Sequence, residues 1–123
     1  MQKAKQTILV IDDDPDIGTM MKMMLEFKGY TALVSERADD AMHTINSDKV
    51  DLIIMDMLLS GVNGVDVCTD LKKDSKTINI PIVMISAHPS AKDMCLSAGA
   101  DDFIAKPFDM QDMLSRIDRL LPN

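Results

Sequence analysis

The chain has 123 residues, 46% of them hydrophobic, which is enough for one compact domain with a real core and too few for two. A formal net charge of −7 repels phosphate backbones and disfavours direct nucleic-acid binding, and the two cysteines, Cys68 and Cys95, are too few for a disulfide scaffold and read as small buried thiols. No apolar run approaches the roughly 20 residues that span a bilayer, and Met1–Thr7 is polar and unlike a signal peptide, so the expectation is a cytoplasmic protein with no membrane insertion.

The apolar pattern alternates between two kinds of segment. Ile8–Ile11 is a short continuous β-branched run, the pattern of a strand buried on both faces. After Asp12-Asp13-Asp14 and Pro15, the residues Ile17, Met20, Met21, Met24 and Leu25 mark one helical apolar face. Tyr30–Val34 fits a strand nearer an edge, and Ala38, Ala41, Met42 and Ile45 mark a second helix. Leu52–Met55 is another buried-strand run and is followed by Asp56. Val67, Cys68 and Leu71 mark a third, shorter helix. Ile80–Ile85 is a strand with Pro81 at its entrance, where a strand tolerates proline, and it leads into Ser86-Ala87. Ser90–Ala98 carries a faint helical pattern closed by Gly99. Asp102–Ala105 fits a second edge strand, followed by Lys106-Pro107. The last helix is the clearest, with Met110, Met113, Leu114, Ile117, Leu120 and Leu121 on one face, Asp109 as N-cap and Asp112 in the first turn. Most of the 12 methionines fall on these apolar faces and read as core filler.

Five strands alternating with five helices predict right-handed βαβ units and a three-layer α/β sandwich. In open parallel sheets, function sits beyond the carboxyl ends of the strands. There the pattern places Asp12, Asp13 and Asp14, then Asp56, then Ser86, then Lys106. Asp14 fits a cap for the helix at Pro15. A cap does not explain Asp56, which is followed by Met-Leu-Leu. Carboxylates crowded together repel, and one protonates unless a cation sits between them. Oxygen-only ligands suit Mg2+, which also takes phosphate oxygens, and a carboxylate beside Mg2+ is a competent nucleophile toward a phosphoryl group. Lys106 and Ser86 add a positive charge and a hydrogen bond for the transferred oxygens.

Four pieces, in order and correctly spaced, carry a family resemblance: Ile-Leu-Val-Ile-Asp-Asp-Asp-Pro, Asp-Leu-Ile-Ile-Met-Asp followed by Gly64, Val-Met-Ile-Ser-Ala, and Gly-Ala-Asp-Asp-Phe-Ile-Ala-Lys-Pro-Phe. Over essentially its whole length the chain resembles the receiver domains of two-component response regulators, the CheY-like family. The resemblance implies one receiver domain over 1–123 with an ordered core of about 7–121. It implies a flavodoxin-like (βα)5 sandwich whose parallel five-stranded sheet has order 2-1-3-4-5. It also implies that Asp12 and Asp13 hold Mg2+ (or Mn2+) with Asp56 and the backbone carbonyl of Met57. Asp56 is then the phosphoacceptor, Lys106 the family's lysine on a cis Lys106-Pro107 bond, and Ser86 and Phe103 the switch pair. Leu58 and His88 take positions that tune phosphate lifetime. The implied partners are a sensor histidine kinase or phosphotransfer protein, and a downstream protein or second copy docking on the face of the fourth helix, fifth strand and fifth helix. Such a domain is no enzyme toward other molecules; it catalyses only its own phosphorylation and dephosphorylation. One departure stands out: the family usually has proline four residues after the phosphoacceptor, and here that position is Ser60, which predicts a less rigid loop over Leu58–Asn63.

Three rival readings fit the residues less well. Asp12-x-Asp14 after a strand is similar to the Asp-x-Asp of Mg-dependent, aspartate-nucleophile phosphatases, but Pro15-Asp16 departs from their pattern and those chains are normally longer. A non-phosphorylated interaction module fits poorly with the intact set Asp12, Asp13, Asp56, Ser86 and Lys106. An EF-hand is excluded by Ile17 and Met23 where its loop needs glycine and glutamate. The ending at Pro122-Asn123 suits a stand-alone regulator and a module with an output domain equally well.

Overall fold

A computed structural model describes residues 5–121; Met1–Ala4 of the polar N-terminal segment and Pro122-Asn123 lie outside the described residues. In chain order the elements are β1 (Thr7–Ile11), α1 (Pro15–Phe27), β2 (Thr31–Ser35), α2 (Ala38–Ser47), β3 (Leu52–Asp56), α3 (Gly64–Lys73), β4 (Ile82–Ser86), α4 (Lys92–Ser97), β5 (Asp102–Ala105) and α5 (Met110–Leu120). The strands form one sheet of order β2-β1-β3-β4-β5, and every neighbouring pair is parallel. Both the predicted alternation and the predicted order hold.

The three layers follow from the two-residue period of the strands. Ile8, Val10, Leu52, Ile54, Val83, Ile85 and Ile104 face one side, where they pack against Met21 and Leu25 of α1 and Met113, Leu114 and Ile117 of α5. Leu9, Ile11, Ile53, Met55, Ile82, Met84 and Phe103 face the other, against Ala41 of α2, Cys68 and Leu71 of α3, and Cys95 of α4. A continuous apolar run therefore splits cleanly between two cores. All five residues of β3 and of β4 are buried, as the unbroken runs predict for central strands. Truncating Ile54, fully buried in β3, to alanine would cost about 2–5 kcal/mol.

Both helix caps read from the sequence are made. The Asp14 carboxylate accepts from Asp16 N at 2.9 Å, and that of Asp109 accepts from Gln111 N at 2.9 Å. Gly99 ends α4 with φ +105°, as a helix stop requires. Other expectations need correction. β2 starts at Thr31, because Tyr30 N still bonds back to Leu25 O at the exit of α1. The helix expected from Ser90 begins as a 3-10 turn, Pro89–Ala91, and becomes α-helical only at Lys92. The methionine reading holds for Met21, Met55, Met84 and Met113, each fully buried, and fails for Met20, Met23, Met42 and Met94. Each of those four sits on a helix flank that rotates out to solvent, and Met23 is 66% exposed.

The segment after β3 departs most from expectation. Leu58-Leu59 and Val62-Asn63 pair antiparallel, Leu58 opposite Asn63 and Leu59 opposite Val62. The two linking residues, Ser60 and Gly61, both have positive φ, +41° and +84°. That is the backbone of a two-residue hairpin turn whose twist matches the strands it joins. In place of a loosened loop there is a closed hairpin at the edge of the sheet.

Candidate functional site: an acidic pocket at the switch point

The strand order reverses between β1 and β3, so the chains leaving their carboxyl ends diverge and open a crevice. Ile11 pairs with Met55, which sets Asp12 beside Asp56. β4 and β5 end on the same edge, with Asp56 paired to Ile85 and Ser86 to Ala105, and they deliver Ser86 and Lys106. Asp12, Asp13 and Asp56 each bring a carboxylate oxygen within 4.8 Å of the others.

The environments of the three acids differ. Asp12 is 1% exposed. Its Oδ1 accepts from Asp14 N at 2.9 Å, while its buried Oδ2 has no hydrogen-bond donor among the described residues. Lys106 Nζ stands 3.6 Å from that oxygen, too far for a hydrogen bond and close enough to be felt as charge. Burial pushes the Asp12 carboxyl above the ordinary aspartate range; the Asp14 N–H and Lys106 pull it back, and Asp56 and Asp13 add repulsion. Asp56 is 9% exposed, with Oδ2 bonded to Lys106 Nζ at 2.9 Å and Oδ1 accepting from Leu58 N at 3.3 Å. Asp13 sits on the exposed rim, and its Oδ2 accepts from Ser60 N at 3.0 Å and Ser60 Oγ at 3.2 Å.

Burial disfavours the charge of Lys106, but its hydrogen bond to Asp56 and the fields of Asp12 and Asp56 outweigh this and hold its pKa above that of a free lysine. One ammonium against three carboxylates leaves two negative charges unmatched when all are ionised. A pocket of oxygen donors with two charges to spare and a buried oxygen lacking a donor fits a hard divalent cation.

The surrounding backbone is shaped to permit this. Gly64 N donates to Met57 O at 2.6 Å, and a Cβ on Gly64 would lie 2.5 Å from Asp56 O and 3.0 Å from Met57 O. Only glycine allows the hairpin exit to pass so close, which explains why the motif ends on Gly64. Met57 N donates to Ile85 O at 2.8 Å and anchors the residue after Asp56 to β4. Lys106 N bonds to Ser86 O at 2.8 Å, and the Lys106-Pro107 peptide is cis. Ser86 is 2% exposed, and its Oγ accepts from His88 N at 3.0 Å, leaving its O–H free to donate.

The remaining predicted residues are placed differently. Phe103 is buried in the core layer that also holds Cys95 of α4, at 6% exposure. Leu58 is 59% exposed at the pocket rim. His88 is exposed; only its backbone reaches Ser86, and its ring makes no hydrogen bond among the described residues. Sequence reasoning missed the contact of Ser60 with Asp13. The available signal was the turn-forming pair Ser60-Gly61 between the apolar Leu58-Leu59 and Val62.

Comparison with known proteins assigns the chain to a family. The family model of the response regulator receiver domain matches residues 8–118. The DNA-binding response regulator MtrA of Mycolicibacterium smegmatis is 35% identical over 95% of this chain and 51% of its own length. The phosphate regulon transcriptional regulatory protein PhoB of Pseudomonas aeruginosa is 37% identical over 94% of this chain and 52% of its own. The chain thus spans about half the length of these relatives. The response regulator protein TrrA of Thermotoga maritima, solved in complex with Mg2+-BeF, superposes with a TM-score of 0.84 at 28% identity, covering 94% of this chain and 98% of that one. The chain belongs to the response regulator receiver domain family of two-component signalling.

Proposed function

We propose that Asp56 is the phosphoacceptor of this receiver domain. The observation that carries the reading is its carboxylate at the end of β3, bonded to Lys106 at 2.9 Å and clustered with Asp12 and Asp13. A carboxylate oxygen of Asp56 attacks the phosphorus of a phosphohistidine on a sensor kinase or phosphotransfer protein. The P–N bond breaks, its electron pair stays on the imidazole nitrogen, and the new P–O bond makes an aspartyl phosphate. Asp12, Asp13, Asp56 and the free lone pair of the Met57 carbonyl would hold Mg2+ or Mn2+. When bound, the ion supplies positive charge among the carboxylates and ligation for phosphoryl oxygens. Lys106 passes from Asp56 to a transferred oxygen, and the Ser86 hydroxyl donates to another.

The test is intact-mass measurement after treatment with acetyl phosphate. Wild type gains one phosphoryl group with Mg2+ and little without it. Asp56→Asn gains none; undiminished uptake by this variant sinks the assignment.

Engagement of Ser86 is the natural trigger of the output. Met84 pairs with Phe103 and Ser86 with Ala105, so a pull on Ser86 is felt along β5. Both states pre-exist, and phosphate shifts their populations toward a surface on α4, β5 and α5 that docks a downstream protein or a second copy. Phosphate-induced NMR shifts confined to the Asp56 loop, with none near Phe103, contradict this. DNA binding is named for MtrA, a protein about twice as long; the charge of −7 argues that this domain does not bind DNA itself. Among the described residues no helix is long and apolar enough to cross a membrane, which supports the cytoplasmic setting where kinases transfer phosphate.

Leu58 brings no hydrogen-bonding side chain to the rim, and the exposed His88 ring has no partner there, so a water attacking the phosphorus is poorly aligned. The phosphoryl group should therefore decay slowly, and Leu58→Asn should quicken the decay. Equal decay rates would show that Leu58 is not the brake. The rival phosphatase reading predicts continuous turnover of p-nitrophenyl phosphate, and the unphosphorylated-module reading predicts no Mg2+ binding.

A further inference from the structure

The hairpin after β3 ends in a contact that its backbone alone makes possible. Ser60 has φ +41° and Gly61 φ +84°, and this left-handed pair turns the Ser60 N–H and hydroxyl together onto Asp13 Oδ2, at 3.0 and 3.2 Å. A proline at this position has φ locked near −65° and no N–H, so it could make neither the turn nor the bond. Each carboxylate oxygen has about two acceptor sites, and here both sites of Oδ2 are filled, leaving Oδ1 for a cation. Asp13 is exposed, so without these bonds its side chain would be free to rotate away from Asp12 and Asp56.

We infer that Ser60 is a positioning residue: the hairpin tip holds the Asp13 carboxylate in the orientation that a divalent cation needs. The inference rests on reading Asp12, Asp13 and Asp56 as the cation site. Partners that orient a metal ligand typically change metal affinity by about 10–100-fold when lost. Ser60 keeps one of its two donors in a glycine variant, so the low end of that range applies.

The probe is Mn2+ alone, with free ion counted by electron paramagnetic resonance, so no phosphoryl chemistry enters the readout. Ser60→Gly keeps the turn and the N–H and removes only the hydroxyl. It should weaken Mn2+ binding about 10-fold, at the lower edge of outer-ligand effects. In an Asp13→Ala background the same change should do nothing further, because the group it orients is gone. Ser60→Asn, which tolerates positive φ and restores a side-chain donor, should recover part of the loss. If wild type binds Mn2+ and Asp13→Ala binds it measurably but more weakly while Ser60→Gly binds as wild type, the Ser60 inference fails and the cation site stands. An equal loss from Ser60→Gly in the Asp13→Ala background also overturns it, marking a general effect on the fold. If wild type does not bind Mn2+, both readings fall together.

Discussion

Two aspartate pairs stand at opposite edges of the same sheet and fare differently. Asp101 and Asp102 lead into β5 at the amino edge, and each is in direct contact with a cation. Asp101 Oδ2 is 3.0 Å from Lys72 Nζ and also accepts from Ile82 N at 2.9 Å. Asp102 Oδ1 is 2.8 Å from Arg116 Nη1, an arginine it shares with Asp112, and accepts from Phe103 N at 2.8 Å. Asp12 and Asp13 follow β1 at the carboxyl edge; Asp12 shares one lysine with Asp56 and keeps a buried oxygen without a donor among the described residues, and Asp13 pairs with no cation there. The residue types are the same; what differs is how completely the fold matches their charge. Matched acids tie elements together, while unmatched ones reserve a place for something the chain does not supply.

The contrast can be sharpened from either side. The largest effect should come from Lys106→Met, which removes the only ammonium in the pocket among the described residues and should slow phosphorylation of Asp56 by about 100-fold, the usual cost of one charge-stabilising group. Acetyl phosphate kinetics followed by mass give the rate, and an unchanged rate would remove Lys106 from the chemistry. On the other edge, Lys72→Met strands Asp101 and frees the carbonyls of Ile78 and Ile80, to which Lys72 also donates. This should cost about 2 kcal/mol of stability in a denaturant melt and leave phosphorylation alone. If it damaged phosphorylation as much as stability, the division between the edges would collapse.

The smallest effect concerns pH. Asp12 has a folded-state pKa raised above its unfolded value near 3.8. Below that value both states hold the proton and nothing is lost. As pH rises through the raised pKa, the folded state must take up an unfavourable charge, so metal-free stability falls. Asp12→Asn should flatten this slope in melts recorded from pH 4 upward; an identical slope would mean that the buried oxygen carries no strain. Cys68 offers a check outside both edges. Burial pushes its thiol up to about 11, so it should resist alkylation in the native protein at pH 8 and react once unfolded.

Much of this was legible before the structure. The short, unbroken, β-branched runs Leu52–Met55 and Ile82–Ile85 suit strands covered on both faces, and once five strands were in place the rule about carboxyl edges brought Asp12, Asp56, Ser86 and Lys106 together. What stayed hidden depended on angles rather than types. Met20 and Met23 carry the apolar character of core residues, but their helix flank faces solvent because Gly18, Met21 and Leu25 take the inward face. The hairpin depended on two positive φ values, and the serine at its tip read only as a missing proline. That Asp12 Oδ2 would lack a donor depends on distances of a few tenths of an ångström, which no pattern of residue types encodes.

The most direct test of the claim that the carboxyl edge is reserved for a cation is a pair of thermal melts of wild type and Asp12→Asn, each with and without Mg2+. Without metal, Asp12→Asn should melt higher than wild type, because a buried repelling charge is gone. With Mg2+ at about 100 times its dissociation constant, wild type should gain about 2.7 kcal/mol and overtake a variant that gains little. Wild type unmoved by Mg2+, or a variant that responds as strongly, would contradict the account.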